Sequence, residues 1–518
     1  MNILLAASEV NGFAKTGGLA DVVGALPRAL AARGHRCAII MPLYRSVRAG
    51  GHPLEPTTTT VRLPIGTKTI EGRFWRSLLP GSSIPVYLVE QPHYFERDDS
   101  SAGYGLYQYT LSNGQKRDYS DNCARFVFFS RAVLEAIRLL DFKPDILHVN
   151  DWQTALVPVY LQEEYRRLPG FAGLRSVLTI HNLAYQGLFW HWDMQLTGLD
   201  WRLFNYRQLE FYGQLNFLKG GLVFADALTT VSPTYAREIQ TPYYGCGLHG
   251  VLLERHAKLT GIVNGVDYNE WNPAIDPHLA SKYDVDSLET GKPKCKQFLQ
   301  RSSNLPDAPR IPLLGMVARL VEQKGIDLVI AAADAFLQRG AQLVILGEGP
   351  RAVYEELLAI RQRYPKQVAV TLGFNESLAH QIEAGADMYL MPSQYEPSGL
   401  NQLYSLRYGT VPIVRATGGL ADTVTNTTPE TLAAGAATGF SFQAYSANGL
   451  AETVGRALDI YFEQPNLWRQ LMQTGMRQDW SWQRSAAEYE RIFVAAIQQS
   501  IVPIQTNESR HFLQARQL

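Results

Sequence analysis

A strand–helix alternation that runs through the chain twice constrains its fold more than any other feature. In the first half, short apolar runs end in polar or glycine-rich turns: NILLAAS, CAIIMP, VYLVE, DILHVN, SVLTIHN and ALTTVS. The alternation restarts after Pro312 with PLLGMVA, GIDLVIAAADAFLQRG, QLVILG, VAVTLG, LAHQIEAGA, DMYLMPS, LNQLYSLRYG and VPIVRA. Strands that alternate with helices form parallel sheets covered on both faces. We therefore expect an α/β protein made of two doubly wound, Rossmann-like halves.

The chain is long enough for each half to have its own core. Its 518 residues exceed the ~250–300 at which one hydrophobic core stops growing. A stretch rich in Pro, Asp, Ser and Lys separates the two alternations. We predict an N-terminal domain over residues 1–265, a C-terminal domain over 266–480, and a terminal segment over 481–518. In that segment RSAAEYERIFVAAI is typical of an amphipathic helix and IQTNESRHFLQARQL of a frayed tail.

Charge and cysteine usage exclude several classes of function. The 48 basic and 48 acidic side chains balance, so nothing predicts nucleic acid or a membrane as a partner. No apolar run approaches the ~20 residues that span a bilayer, and no leader peptide precedes the first strand, so we expect a cytoplasmic location. The four cysteines lack CxxC spacing, and no HExxH or zinc spacing occurs. We expect reduced cysteines, no metal and no other cofactor, whereas nothing predicts an oligomeric state.

The turn after the first predicted strand carries the residue types of an anion site. In GFAKTGGLADVV, Lys15 supplies a charge, and Gly17 and Gly18 let backbone N–H groups approach a ligand at the start of a helix. Ligands of open α/β sheets bind at such strand ends. A plain glycine turn with a solvated lysine is the alternative. The stretch matches neither GxGxxG nor GxxxxGK[ST], so neither nucleotide-binding fingerprint applies.

Two turns of the second half present further charges after predicted strands. In VARLVEQKGIDL, Arg319 and Lys324 flank a turn from which they could clamp a diphosphate. In SQYEPSGLNQLYS, Glu396 precedes a bend, and Gly399 and Leu400 open a helix. A carboxylate there could accept hydrogen bonds from sugar hydroxyls or offset developing positive charge. Solvated cations and a capping or surface glutamate are the alternatives.

Three other strand ends present polar residues or glycines. TIHNLAYQG contains His181 and Asn182, and HVNDWQTALVP contains Asp151 and Trp152. A single histidine is more often structural than catalytic. ATGGLADTV repeats the GGLAD sequence of the first turn, so we predict a second close backbone approach to the ligand at 418–419.

Together these stretches resemble one family, the bacterial glycogen synthases and plant starch synthases, which are retaining glucosyltransferases with the two-domain GT-B fold. The resemblance runs through nearly the whole chain, in KTGGLADVVGALP, DWQTALVP, HNLAYQG, GIVNGVDYNEWNP, ARLVEQKGIDL, YEPSGLNQLYSLRYGTVPIVRATGGLADTV and DWSWQRSAAEYERIF. It implies two domains that face each other across a cleft, with a last helix that crosses back to the first domain.

The resemblance also implies a reaction. Glucose would pass from ADP-glucose to the 4-OH at the non-reducing end of an α-1,4-glucan with retention of configuration. Four catalytic positions follow from it: Glu396 would hold the donor glucose hydroxyls, His181 would lie beside the reacting carbon, and Arg319 and Lys324 would neutralise the leaving diphosphate.

The remaining positions carried over from the family fall into two groups. The donor-binding group comprises Lys15, Gly17, Gly18, Asp21, Asn264, Arg319, Lys324, Ser398, Gly399, Leu400, Tyr404, Thr417, Gly418 and Gly419. The group at the acceptor side or along the cleft comprises Asp151, Trp152, Asn182 and Tyr119.

The chain departs from the family pattern at several positions. Ser398 stands where a cysteine is common, Gln153 replaces a histidine and His249 replaces an aspartate. Tyr404 stands where many other GT-B transferases carry a glutamate for the ribose. The tyrosine-rich segment near 95–120 looks longer than usual, and could bind glucan or simply extend a loop.

Other functions stay open beside the glucan synthase. The donor could be UDP-glucose, the acceptor could be a maltooligosaccharide, or the chain could be a catalytically silent glucan-binding relative. The silent relative is disfavoured because Lys15, Arg319, Lys324 and Glu396 are all present. A glucan phosphorylase would need a pyridoxal-phosphate lysine motif and a dehydrogenase would need GxGxxG, and the sequence contains neither.

Overall fold

The computed structural model describes residues 1–97, 105–111 and 115–498. The predicted tail lies outside the described residues, and the tyrosine-rich segment near 95–120 lies partly outside them. Within the described ranges, no helix combines the length and apolar character needed to cross a bilayer. The four cysteines are free thiols.

A nine-stranded sheet forms the first half. The strands of this half are β1 Asn2–Ala6, β2 Arg36–Pro42, β3 Glu55–Ile65, β4 Lys68–Leu78, β5 Pro85–Glu90, β6 Gln108–Thr110, β7 Lys116–Asp118, β8 Ile146–Asn150, β9 Arg175–Ile180, β10 Leu188–Trp190, β11 Glu210–Phe211, β12 Gln214–Asn216, β13 Ala227–Thr230 and β14 Leu259–Gly261. The large sheet has the order β14-β13-β9-β8-β1-β2-β5-β4-β3 and is parallel as far as β5. The six apolar runs predicted in this half are β1, β2, β5, β8, β9 and β13, so that prediction is confirmed.

The antiparallel hairpin β3–β4 at the edge of this sheet was not predicted. Its two strands pair from Glu55 with Arg76 to Ile65 with Lys68. Buried and exposed residues alternate along both strands, as expected where one face of an edge hairpin meets solvent. The hairpin therefore lacks the continuous apolar run that marked the central strands. Two smaller antiparallel units, β6–β7 and β10-β12-β11, complete the sheets of this half.

Helices cover both faces of this sheet and lead into the second half. They are α1 Gly18–Ala32, α2 Arg45–Ala49, α3 Pro92–Phe95, α4 Asn122–Leu139, α5 Leu156–Tyr160, α6 Met194–Thr197, α7 Phe217–Phe224, α8 Pro233–Glu238, α9 His249–Glu254 and α10 Leu288–Ser302. Shorter 3₁₀ or π turns occupy Trp152–Thr154, Leu161–Tyr165, His191–Asp193, Trp201–Leu203, His256–Lys258 and Glu322–Lys324.

The second half contains a six-stranded, wholly parallel sheet. Its strands are β15 Leu313–Arg319, β16 Gln342–Glu348, β17 Val368–Leu372, β18 Met388–Met391, β19 Val411–Arg415 and β20 Phe440–Phe442. Its helices are α11 Ile326–Leu337, α12 Arg351–Arg363, α13 Glu376–Gly385, α14 Asn401–Arg407, α15 Gly418–Thr423, α16 Pro429–Ala433, α17 Ala447–Glu463, α18 Pro465–Arg477 and α19 Trp482–Gln498. The order β17-β16-β15-β18-β19-β20 is the doubly wound order 3-2-1-4-5-6 of nucleotide-binding folds.

The last helix, α19, belongs to the core of the first half. Its apolar face, with Trp482, Ala486, Tyr489 and Phe493, is buried among side chains of the N-terminal sheet and its helices. The alternation of apolar and polar residues at helical spacing produces this face. The predicted fold, two Rossmann-like halves with a helix that crosses back, is confirmed.

Candidate active site

The polar clusters lie where the strand order reverses in each sheet. In the second half, β15 lies between β16 and β18. Arg319 ends β15, and Glu396 follows β18. In the first half, β1 lies between β2 and β8, Lys15 follows β1, and Asp151 follows β8. Open α/β sheets bind ligands outside the carboxyl ends of their strands at such points.

An ion pair between Lys324 and Glu396 forms the centre of the C-terminal cluster. Lys324 Nζ lies 2.6 Å from Glu396 Oε2, and Ser393 Oγ donates to the same oxygen over 3.1 Å. Glu396 is 5% exposed, and a carboxylate with so little water needs such partners. Arg319 is exposed, and its guanidinium donates to Gln323 over 3.2 Å. One cation, Lys324, therefore contacts the carboxylate directly, and a second cation, Arg319, lies at the end of β15.

A pocket of about 190 Å³ opens beside this ion pair. Lys324, Glu396, Gly399, Leu400 and Asn401 contribute to its walls. Because a cation and a carboxylate line the same small space, the pocket can receive a ligand that has both anionic and hydroxyl groups.

The repeated GGLAD sequence positions the turn that carries Glu396. Gly418 has a φ of 45°, and a Cβ there would lie 2.0 Å from the carbonyl oxygen of Glu396. A Cβ on Gly419 would lie 1.9 Å from the carbonyl oxygen of Ser398. No other residue fits at either position, so α15 packs directly on this turn. Ser398 is 8% exposed, and its hydroxyl donates to the carbonyl of Gly399 over 3.3 Å.

Side chains of α8 join the start of α15 and so connect the two halves. Glu238 accepts hydrogen bonds from the Thr417 hydroxyl over 2.9 Å and from the Gly418 amide over 3.1 Å. Asp422 accepts from the amide and the hydroxyl of Thr234 over 2.7 Å each. The Thr417 hydroxyl and the Gly418 amide, which the family resemblance assigns to binding of the nucleotide sugar, therefore donate hydrogen bonds to the first half of the chain in this structure.

In the first half, one side of the turn after β1 is held by hydrogen bonds, and the other side is open. Glu9 is 3% exposed, and it accepts hydrogen bonds from the amide and the hydroxyl of Thr16. Lys15 Nζ lies 2.6 Å from Asp21 Oδ1. Burial raises the pKa of Asp21, and Lys15 opposes that rise. A Cβ on either residue of the pair 17–18 would meet no atom within 4 Å, so the space beside these glycines is open.

Asp151 and His181 form a hydrogen-bonded unit at the ends of β8 and β9. Asp151 has a φ of 54° and is 8% exposed. It accepts from the His181 amide over 2.7 Å. Burial raises the pKa of Asp151 to about 7, against the backbone hydrogen bonds from His181 and Asn182. His181 Nε2 lies 2.9 Å from Asn150 Oδ1, and burial lowers the pKa of His181 to about 3, so its ring is neutral at pH 7.

Three of the predicted site residues are packed into the interior. Trp152 is 8% exposed, and its ring lies 4.9 Å from that of Phe126. Tyr119 is also 8% exposed, with the Arg125 guanidinium 5.0 Å from its ring centroid. Asn264 is 4% exposed, and its Oδ1 has no hydrogen-bond partner among the described residues.

A smaller crevice of about 70 Å³ lies between the two halves. Asp21 of α1 lines one side, and Glu270, Leu400 and Tyr404 line the other. Tyr404 stacks on Trp271 with ring centroids 3.9 Å apart. Because Leu400 also lines the larger pocket, the crevice brings the Lys15 turn of the first half next to the Glu396 pocket of the second.

Several residues that shape this region were not predicted. Glu238, Trp271 and Asp422 act on the site through contacts with residues far away in sequence, and Glu9 acts through Thr16, seven residues away. Glu9 and Glu238 lie in stretches that the sequence did not single out, and Asp422 ends the second GGLAD sequence, where only Thr417 and the two glycines were assigned a role. The GIVNGVDYNEWNP stretch did single out the neighbourhood of Trp271, but nothing in it indicated a stacking role.

Comparison with known proteins agrees with this geometry. Residues 2–254 match the family described as the starch synthase catalytic domain, and residues 298–471 match the family described as glycosyl transferases group 1. A glycogen synthase from Syntrophotalea carbinolica is 48% identical over 498 residues, which cover 96% of this chain and 99% of the relative. The chain belongs to the glycogen and starch synthase family. The family resemblance predicted from the sequence is confirmed.

Other members of the family show the same coverage. A glycogen synthase from Rhodopirellula baltica is 44% identical, with 96% of this chain and 98% of the relative covered. The catalytic domain of starch synthase IV from Arabidopsis thaliana, bound to ADP and acarbose, superposes with a TM-score of 0.84 at 33% identity and covers 96% of this chain and 99% of its own. This synthase is therefore a GT-B glucosyltransferase. The domain limits at 265 and 480 and the roles of the individual site residues stay predictions.

Proposed function

We propose that this synthase transfers glucose from ADP-glucose to the 4-OH at the non-reducing end of an α-1,4-glucan, with retention of configuration. The observation that carries the proposal is the ion pair between partly exposed Lys324 and buried Glu396, beside a pocket at the strand-order reversal of the second sheet. A nucleotide sugar has a diphosphate for cations and hydroxyl groups for a carboxylate. The solved starch synthase IV, which carries ADP and acarbose, supports adenine as the base of the donor and a glucan as the acceptor.

The cations would neutralise the leaving diphosphate. Arg319 can bind two phosphate oxygens with its planar guanidinium, and Lys324 acts as a point charge. Lys324 Nζ has a carboxylate oxygen at 2.6 Å in this structure, so the diphosphate would share this cation with Glu396. Stabilisation of charge that develops on the leaving group is commonly the largest contribution that a protein makes to such a reaction.

Glu396 would hold the donor glucose, and the turn after β1 would approach from the first half. The carboxylate is fixed by Lys324 and Ser393, so hydroxyls of the sugar meet a preorganised acceptor. The open space beside 17–18 leaves room for a ligand at the backbone, and Lys15 adds a charge that can move from Asp21 to phosphate.

His181 would contact the sugar beside the reacting carbon. Since its pKa lies near 3, the ring does not deliver a proton at pH 7. Its position is set by Asn150 at the ring and by Asp151 at the backbone amide. We therefore assign to His181 the stabilisation of an oxocarbenium-like state, and no proton transfer.

The bond changes take place on one face of the sugar. The bond between C1 and the phosphate oxygen breaks, and the bond between C1 and the acceptor O4 forms on the same side. The acceptor proton passes to the departing phosphate oxygen. Charge and atoms balance without a covalent enzyme intermediate, a metal or another cofactor.

Glucose incorporation into glycogen tests the proposal. Wild type should use ADP-glucose in preference to UDP-glucose, and Glu396→Gln should lose ~10²-fold or more in turnover, since a charged contact to the transition state contributes ~3 kcal/mol. Glu322→Gln is the matched control because Glu322 is an exposed carboxylate two residues before Lys324.

Three outcomes would contradict parts of the proposal. Preference for UDP-glucose would overturn the donor. Equal activity of Glu396→Gln and Glu322→Gln would overturn the assigned site. No transfer from either donor by folded protein would identify a glucan-binding relative without activity.

A further inference from the structure

Three metal-ligating side chains meet on the second half of the molecule, away from the pocket and the crevice. The donor atoms of His278, Glu376 and His380 all lie within 4.8 Å of one another. None of the three lines either cavity described above. The three side chains therefore lie outside the proposed donor site.

Local structure brings the three residues together. Glu376 and His380 are four residues apart on α13, which places them on the same face of the helix. His278 comes from the segment that leads from the first sheet into α10. Its ring centroid lies 4.7 Å from that of His380. The cluster thus joins this connecting segment to α13.

The hydrogen bonding of His380 leaves one ring nitrogen for a ligand. His380 is 1% exposed, and its Nδ1 donates to Asp276 Oδ2 over 2.7 Å. In the neutral ring, the lone pair is then at Nε2, and this atom is buried without a hydrogen-bond partner among the described residues. A buried nitrogen without a hydrogen-bond partner or a ligand destabilises the folded protein.

Asp276 also prepares the site in a second way. It accepts a hydrogen bond from the backbone amide of His278 over 2.8 Å, so one carboxylate orients both histidines. A carboxylate that accepts from the far nitrogen of a histidine is the usual outer partner of a metal-bound imidazole, because it fixes the tautomer and raises the basicity of the ligand. Asp276 itself is fully buried.

We propose that His278, Glu376 and His380 bind a divalent transition-metal ion of the zinc class. Two imidazoles and one carboxylate are the donor set of many zinc sites, with water as the fourth ligand. A hard cation such as Mg²⁺ prefers oxygen ligands, so the two nitrogens favour zinc. The partly exposed His278 and the exposed Glu376 leave a path for the ion.

The metal would fasten the connecting segment to the second sheet domain. Trp271 lies on the same segment, and it stacks on His380 at 3.8 Å and on Tyr404 at 3.9 Å, with interplanar angles of 9° and 1°. Two parallel rings so close to one centroid lie on opposite faces of the indole. Binding at His380 would therefore hold the ring stack that reaches the crevice between the halves. The role is structural and adds no step to glucosyl transfer.

Zinc titration of the chelator-stripped protein tests the site. We expect isothermal calorimetry to show one Zn²⁺ per chain, and the ion to raise the melting temperature because it binds only the folded site. Mg²⁺ at the same concentration should give neither effect.

Two variants assign the binding to these residues. His278→Ala and Glu376→Gln should each weaken Zn²⁺ binding by ~10- to 100-fold or more, the loss known for weaker, outer-shell changes. Glu376→Gln keeps the size of an exposed side chain, so it preserves folding. His256→Ala is the control because it removes an exposed histidine of the first half.

Either of two results would overturn the proposal. If stripped wild type binds no stoichiometric Zn²⁺, or if Glu376→Gln and His278→Ala bind it as tightly as His256→Ala does, the cluster is not a metal site. Glucosyl transfer by the stripped enzyme is expected in either case, so a failed zinc experiment leaves the proposed function unaffected.

Discussion

Single residues determine what the pocket can hold. Glu396 is 5% exposed and is paired with Lys324, so this carboxylate has an ammonium group in direct contact in a place with little water. Removal of one partner of a buried ion pair strongly destabilises the folded protein, because the charge of the other partner is left uncompensated. Substitution of either residue therefore affects the stability of the fold as well as catalysis, and the two effects have to be measured separately.

Lys324→Gln should lower kcat by ~10²-fold or more and change the KM for the donor less, because the charge acts mainly on the leaving diphosphate. Steady-state kinetics at several donor concentrations separate the two constants, and circular dichroism checks the fold. Lys366→Gln, on an exposed loop, is the control. Near-normal kcat in folded Lys324→Gln would contradict the diphosphate role.

Residue types at strand ends were predictable because charge and glycine stand out in an apolar pattern. Lys15, Arg319, Lys324 and Glu396 were all identified in this way. The positions of Trp152 and Tyr119 were not, because an aromatic ring serves equally well in a core and in a sugar site. Whether it faces the cleft depends on packing with residues far away in sequence, such as Phe126 and Arg125.

At the scale of elements, β8 and α19 enclose a histidine that affects stability. His148 on β8 has no exposed surface, and its ring lies 5.4 Å from that of Tyr489 on α19. Its Nε2 is bonded to Thr179 over 2.6 Å, whereas its Nδ1 has no partner among the described residues. Burial lowers the pKa of His148 to about 3.

This shift makes the folded state sensitive to acid. The unfolded chain binds a proton at His148 from about pH 6.5 downward, and the folded chain does so only near pH 3. The contribution of the neutral, buried His148 ring to the free energy of unfolding is therefore fully present above pH 6.5. It is lost as the pH falls towards 3, at up to ~1.4 kcal/mol per pH unit. Asp151, with its raised pKa, acts in the opposite direction.

His148→Gln should reduce the number of protons taken up on unfolding in acid by about one, and so reduce the pH dependence of the free energy of unfolding. Between pH 6.5 and 4.5 the variant should lose ~2.3 kcal/mol less of its free energy of unfolding than wild type loses, since it has no group to protonate. Urea unfolding followed by tryptophan fluorescence at both pH values measures this difference. Asp151 contributes equally to both proteins, and exposed His256 replaced by Gln should show the wild-type slope. Parallel slopes for wild type and His148→Gln would contradict the prediction.

At the scale of the whole molecule, the proposed reaction requires the sugar donor to contact both halves at once. Lys15 belongs to the first half and Lys324 to the second, and the contacts between α8 and α15 hold the halves together. Asp422 and Glu238 provide these contacts without lining the pocket. Closure and catalysis can therefore be separated by mutation.

Asp422→Ala should raise the KM for the donor by ~3- to 30-fold and change kcat less. It removes two hydrogen bonds to Thr234, each of which contributes ~1 kcal/mol or somewhat more, so the fraction of molecules with both halves in contact decreases and the apparent affinity decreases with it. Small-angle scattering should show a larger radius of gyration.

Asp459→Ala is the matched control for this variant. Asp459 pairs with Arg339 inside the second half and is 54% exposed. An unchanged radius and KM in Asp422→Ala would mean that these contacts do not hold the closed arrangement.

The sequence by itself determined the fold class and the family, and it predicted most of the charged residues of the candidate site. Central parallel strands are buried on both faces, so they appear as continuous apolar runs, and ligand-binding turns follow them directly. Only the tertiary structure decided that Gly418 and Gly419 support the turn of Glu396, that Glu238 bonds to Thr417 and Gly418, and that His278 meets His380. These contacts join segments distant in the chain, and local patterns carry no record of which distant segments meet.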